Sequence, residues 1–250
     1  MTPKHLLVQA PAKLTLSLSV TGVRDDGYHT IDAEMVSVDL YDDIEIIPGG
    51  TGVCLLAGSA MTDLDPNNNL VSRAASVAGR SIGANITKRI PAGAGLGGGS
   101  ADAAAVLRWA GFTDLVAAAS IGADVAFCLV GGRARVLGIG EVVVPLPYEE
   151  RVFTLVTPAI HCSTPEVYAM WDALGGPEGE QGNDLEPAAL RVAPELARTR
   201  DALGDATGQT PRLAGSGSSW FVEGNFPEAG RVVTTVRAHQ SDVDKYGRSN

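Results

Sequence analysis

Residues 91–101, PAGAGLGGGSA, constrain this chain more than any other segment. Gly93, Gly95, Gly97, Gly98 and Gly99 fall within seven residues, and Ser100 then opens an Ala-rich run of high helix propensity. Without a Cβ, the backbone can curl until successive N–H groups turn toward one point. A helix start adds unpaired N–H donors and the positive end of its dipole. Together these features predict a phosphate cradle. Charge narrows the reading further. The formal net charge is −10, so the surface repels nucleic-acid backbones and anionic lipid, and the expected partner is a small molecule. Any anion must be held locally, by backbone N–H groups and a few placed cations.

Two common loops do not fit. No Gly-Lys-Ser/Thr occurs, which excludes a Walker A loop. Residues 93–98 satisfy G-x-G-x-x-G by letter, but Pro91 separates them from the preceding strand. The acidic residue about 20 positions on, Asp114, sits in a turn rather than at a strand end, so a dinucleotide fold is not expected.

Around the loop, the first third of the chain alternates apolar and polar residues with period two. Leu14, Leu16 and Leu18 share one face, and MVSVDLYDDIEIIP repeats the pattern before Pro48 ends it. Asp26 and Gly27 mark a turn between these strands. A helix is expected from about Leu70 behind Asn residues suited to an N-cap, a strand over residues 84–90, and further strands over RARVLGIG, EVVVPLP and residues 151–158. Two helices are expected around Leu190 and Leu203, and a second Gly/Ser loop over residues 213–219. Strands and helices mix without regular βαβ alternation, which favours an α+β fold with a soft boundary near residue 151. Cys54, Cys128 and Cys162 form no C-x-x-C pair, and neither they nor His5, His161 and His239 have metal-ligand spacing. No apolar run reaches the length of a membrane span and no signal peptide opens the chain, so the expected location is cytoplasmic. Trp171 and Trp220 are read as core or interface residues.

Residues 91–101 resemble the P-x-x-x-G-L-G-[SG]-S-[SA]-A loop of the GHMP kinases, and G-L-G-G-G-S resembles the branch acting on a diphosphocytidyl alcohol. Five further stretches resemble the same family in order: Pro11-Ala12-Lys13-Leu14, Asp25-Asp26-Gly27-Tyr28-His29, Gly122-Ala123-Asp124-Val125, Thr164-Pro165-Glu166-Val167-Tyr168 and residues 213–218. The dipeptide Asn69-Leu70 resembles the family's adenine-pocket pair. The resemblance implies a two-domain GHMP fold, residues 1–151 and 152–250, with the active site in the cleft between them, as a monomer or homodimer. It implies ATP as phosphoryl donor and Mg²⁺ arriving with it, Ser100 being the candidate side chain at the metal. ATP contacts fall on Asn69, Leu70, Lys88, Pro91, Gly93, Gly95, Leu96, Gly97, Gly98, Gly99, Ser100, Gly215, Ser216 and Gly217. Asp124 is implied as the base that takes the hydroxyl proton, with Lys13 beside it to orient the hydroxyl. Thr15, Tyr28, His29, Thr164 and Tyr168 are implied as contacts to a substrate carrying a cytidine diphosphate group, in isoprenoid-precursor synthesis. The alternatives are a GHMP kinase for homoserine or a mevalonate-type alcohol, or a nucleotide-binding relative without catalysis. Thr15 stands where the family usually has Asn, Asp102 where its loop helix often has Asn, and Ala126 where proline follows G-A-D-V.

Overall fold

In the computed structural model, residues 5–57, 60–65 and 68–238 are described, and His239 and the terminal segment lie outside them. Two long strands organise the first half. β1 (Leu6–Val23) and β2 (His29–Pro48) pair antiparallel from Leu6 and Ile46 to Val23 and His29, with register shifts after Pro11, Thr15 and Val20. Gly27 closes the turn between them at φ +83°, and Arg24 N–H donates to the Tyr28 carbonyl. β2 also pairs β5 (Ile82–Thr87) through Asp43 to Pro48, and β6 (Arg133–Gly138) through Ile31 to Val36. β3 (Val53–Ala57) runs parallel to β5, β4 (Ala60–Asp63) borders β3, and β7 (Val142–Pro145) borders β6. The period-two pattern is thus a sheet with one buried face, occupied by Leu14, Leu16 and Leu18 among others.

α2 (Gly98–Trp109) and α4 (Val125–Val130) pack on β1, with α1 (Leu70–Val77) against α2 and α3 (Leu115–Ile121) against α4. α2 is buried from Ala101 through Leu107, which is why that stretch is small and apolar apart from Asp102. It packs on α1, α4 and β1. Its first residue is Gly98, two positions earlier than the composition suggested, because Gly97 caps it and the Ala101 N–H donates to the Gly97 carbonyl. A second antiparallel sheet, ordered β11-β8-β10-β9, forms from β8 (Val152–Val156), β9 (Arg212–Leu213), β10 (Trp220–Glu223) and β11 (Arg231–Thr235). With it go α5 (Thr164–Ala173), α6 (Glu186–Val192) and α7 (Leu196–Thr207). Trp220 is fully buried here, as core. Among the described residues no helix is long and apolar enough to cross a membrane, and no three of His, Cys, Asp and Glu are grouped to hold a metal ion. No disulfide joins the three cysteines, and burial pushes the Cys128 thiol up to about 12.

Candidate active site

A cavity of about 840 Å³ lies where β1, the glycine loop and α5 meet. β1 places Lys13 and Thr15 two residues apart, so both side chains leave the same face of the strand. The Lys13 Nζ donates to Thr15 Oγ1 at 3.1 Å and pairs with Asp124 Oδ2 at 3.4 Å. Lys13 is buried, and Asp124 keeps about a third of its side chain open to the cavity. Asp124 precedes α4 in the N-cap position, yet its carboxylate makes no capping bond. A plain cap residue would spend its oxygens on the helix; this one turns them to the lysine.

The glycine loop is fitted to that pair. The Lys13 N–H donates to the Leu96 carbonyl at 3.0 Å, tying the loop to β1. Gly97 sits at φ +67°, and a Cβ there would lie 2.8 Å from Lys13 Cγ and 3.7 Å from Asp124 Oδ2. Gly95, at φ +76°, is pressed against the late Gly/Ser loop, 2.3 Å from the Ala214 carbonyl oxygen to a built Cβ. Beyond Gly97, α2 runs away from the site and presents its first N–H groups and the positive dipole end to the cavity. Ser100, in the same turn, lies beside Gly122 and Leu70.

Beneath the loop, Asp42 is fully buried and accepts from the Arg89 and Ile90 N–H groups and from Lys88. Lys88 also donates to Asp102 at 2.8 Å. Burial pushes the Asp102 carboxyl up to about 7 against the opposing pull of Lys88. Two buried carboxylates therefore fix the one ammonium group that faces Gly98. Asn69 caps α1 through the Ser72 N–H and donates to the Asp65 carbonyl, so its amide shapes the wall formed with Leu70, Leu55, Leu64 and Ile86.

At the other end, α5 supplies Thr164 and Tyr168. Thr164 Oγ1 and Ser216 Oγ are 2.8 Å apart. Tyr168 stacks on His29 with ring centroids 4.7 Å apart, and burial, with Asp124 nearby, raises its hydroxyl above the usual tyrosine range. Among the described residues lining the cavity, His29 and Tyr168 are the aromatic ones. Most residues expected at the site line this cavity together: Lys13, Thr15, His29, Lys88, Asp124 and Ser216 among them. Three do not line it. Leu96 is buried beneath the loop, Gly217 packs against Leu213 and Cys162, and Tyr28 is 62% exposed on the turn outside.

Two contributors escaped the reading of the sequence. Asp42 lies in a run of alternating acids that looks like a solvated strand face. Asn183 ends residues 175–183, whose polar, Gly-rich composition reads as a loop. It is buried, its amide donates to the Leu213 and Gly215 carbonyls at 2.9 and 2.7 Å, and its oxygen accepts from the Leu185 N–H. Its neighbours Gly182 and Asp184 bond Leu18 on β1. Asn183 thus joins the strand that carries Lys13 to Gly215, whose Cα region lies against Lys13 Nζ. A lone Asn-Asp before a helix is the only local signal, and it reads equally as a cap.

Comparison with known proteins bears on this arrangement. Residues 69–132, which include the loop, α2 and Asp124, match the model of the GHMP kinases N terminal domain. The 4-diphosphocytidyl-2-C-methyl-D-erythritol kinase of Paracoccus denitrificans (strain Pd 1222) is 40% identical over 238 residues, covering 88% of this chain and 87% of that protein. That of Cereibacter sphaeroides (strain ATCC 17029 / ATH 2.4.9) is 38% identical, covering 90% and 91%. A crystal structure of 4-(cytidine 5'-diphospho)-2C-methyl-D-erythritol kinase superposes with a TM-score of 0.74 at 30% identity, over 92% of this chain and 99% of that one. A homoserine kinase from Cytophaga hutchinsonii shares the fold at a TM-score of 0.61 and 21% identity, covering 96% of each chain. Identity of this degree over nearly the whole length, on a cradle built against a lysine and an aspartate, means that the chain belongs to the GHMP kinases, in the family of the 4-diphosphocytidyl-2-C-methyl-D-erythritol kinases.

Proposed function

We propose that this chain transfers the γ-phosphoryl group of ATP to a hydroxyl of 4-diphosphocytidyl-2-C-methyl-D-erythritol, giving the 2-phosphate and ADP, in isoprenoid-precursor synthesis. The observation that carries this reading is the position of Gly97, where an added Cβ would meet both Lys13 and Asp124: the phosphate cradle and the proton-accepting pair share one point. Phosphoryl transfer needs anchored phosphates, neutralised charge and an acceptor held in line. The N–H groups of residues 97–100 and the α2 dipole supply the anchor. Lys88, held by Asp42 and Asp102, supplies fixed positive charge at the loop. Asp124 accepts the hydroxyl proton, a contribution of about 10²–10⁴-fold, while Lys13 holds the carboxylate and the acceptor oxygen in place.

Adenine fits the apolar wall around Leu55, Leu64 and Leu70, and the cytosine belongs at the His29 and Tyr168 end. The Ser100 hydroxyl is the hard oxygen donor at the cradle that would meet Mg²⁺, which would neutralise phosphate charge when bound. The metal would arrive with the nucleotide. We place the domain division near residue 151, where β8 opens the second sheet.

The test is coupled ADP release from ATP and Mg²⁺ with 4-diphosphocytidyl-2-C-methyl-D-erythritol, with mevalonate and homoserine run alongside. Turnover with the cytidine substrate alone is expected. Turnover with either of the others instead, or with none, overturns the substrate assignment.

A further inference from the structure

One turn of α5 surrounds a single ring. Tyr168, Trp171 and Asp172 stand at i, i+3 and i+4, on one face of the helix. Tyr168 covers a face of the His29 imidazole at 4.7 Å, and Trp171 meets it edge-on at 5.6 Å and 86°. The Asp172 Oδ1 lies 2.8 Å from His29 Nε2. Trp171 is itself fixed, donating its Nε1–H to the Pro177 carbonyl at 2.9 Å. His29 is left with 9% of its side chain exposed, at the wall of the cavity, while Asp172 is half exposed behind it.

Hydrogen-bond chemistry then fixes the ring. A carboxylate oxygen only accepts, so the proton of this contact belongs to Nε2. In the neutral imidazole, the remaining nitrogen, Nδ1, is an acceptor. A base that meets Nδ1 of the neutral ring finds an acceptor there, not a donor. Cytosine carries an amino donor at position 4, and uracil carries a carbonyl acceptor at the same place. The first completes a hydrogen bond with Nδ1, and the second sets two lone pairs against each other.

We propose that Asp172 is a specificity-determining positioning residue: by holding His29 as the Nε2–H tautomer, it makes the site select a cytosine over a uracil nucleotide. The proposal rests on the reading above that the substrate's cytidine occupies the His29 end. A tie holding α5 against β2 would be the bland role of the same contact. That role affects folding stability and is indifferent to the base.

The experiment is the affinity for CDP and for UDP, measured by titration calorimetry on the full chain. The unaltered protein is expected to prefer CDP by tenfold or more, of the order that one specific base-edge contact confers. Asp172→Ala releases the ring, and Asp172→Asn can also donate to Nε2 and so permit the other tautomer. Both should collapse the ratio toward one. A ratio unchanged in both variants, with only the melting temperature lowered, overturns the proposal and leaves the cytidine reading standing. Failure of the unaltered protein to bind either nucleotide overturns both. If the variants do not fold, long-range ¹H–¹⁵N spectra of the unaltered protein decide. His29 as the Nε2–H tautomer, with its Nδ1 resonance moved by CDP and not by UDP, supports the assignment, and the Nδ1–H tautomer refutes it.

Discussion

Gly97→Ala tests how closely the phosphate cradle and the Lys13 and Asp124 pair depend on each other. Gly97 adopts φ +67°, where an L-residue costs about 1–2 kcal/mol. At about 2–4 °C per kcal/mol for a chain of this size, the melting temperature should fall by about 2–8 °C. The second effect is local. The new methyl would stand 2.8 Å from Lys13 Cγ and 3.4 Å from Cε. Carbon atoms settle at about 3.5–4.0 Å, so the lysine stem must move by about 1 Å. Its Nζ is 3.4 Å from Asp124 Oδ2, and a move of that size takes the two beyond ion-pair contact. A misplacement of about 1 Å at reacting groups costs about 10²-fold in rate. Coupled ADP release should therefore show kcat down by about 10²-fold, beside a melting curve lowered by only a few degrees. Gly99→Ala is the stability control. Its methyl would meet only Leu70 Cδ1 at 3.6 Å, so helix propensity should raise the melting temperature slightly, by the equivalent of about 0.5–1 kcal/mol. A Gly97→Ala protein with kcat within about threefold of the original would refute the wedge, whatever its melting temperature.

Three further outcomes are expected. Asp124→Asn keeps the shape and loses the proton acceptor, so ADP affinity by calorimetry should hold while kcat falls about 10²–10⁴-fold; an unaltered kcat removes Asp124 as base. Asn183→Ala leaves the Leu213 and Gly215 carbonyls without their buried donor, costing about 1–3 kcal/mol in chemical denaturation and lowering kcat through the slackened Gly215; loss of stability with full kcat would confine Asn183 to structure. Asp102 gives a pH signature. Its carboxyl is raised to about 7 by burial, whereas an unfolded-chain aspartate titrates near 4, so the folded state holds this proton more tightly between about pH 4 and 7. That contribution favours folding at the acid end of the window and is lost as pH rises through about 7. Thermal melts of Asp102→Asn should show a flatter dependence across this range than the original protein, and parallel curves would refute the assignment.

The parts legible in the sequence share a physical property: their signal is local. The alternation in β1 and β2 reflects one buried face, and the glycines at 93–99 reflect a backbone path that needs positive φ at several points. Lys13 and Asp124 were identified through short motifs, although only the fold sets them 3.4 Å apart. The rest depends on contacts between distant segments. Asp42 meets Lys88 and Arg89 from 46 and 47 residues away, and Asn183 meets Gly215 from 32 away, so neither carries a local mark of its role. α5 was not anticipated as a helix, and without it the grouping of Tyr168, Trp171 and Asp172 around His29 has no pattern to read. Tyr28, beside His29 in the same motif, lies exposed on the hairpin turn while His29 lines the cavity.

β1 pairs with a neighbouring strand on one edge, and its other edge is met by single rungs, from Leu96 near Lys13 and from residues 182–184 at Leu18. The two rungs arrive at very different times during synthesis. The loop rung comes with the first sheet, but the second waits until the ribosome has passed residue 184, well after β7 has completed that sheet. Until then the nascent chain carries an open strand edge beside Leu18, the kind of surface that recruits other extended chains. The buried asparagine and its neighbours therefore act as the closure of a seam, brought from the far half of the sequence.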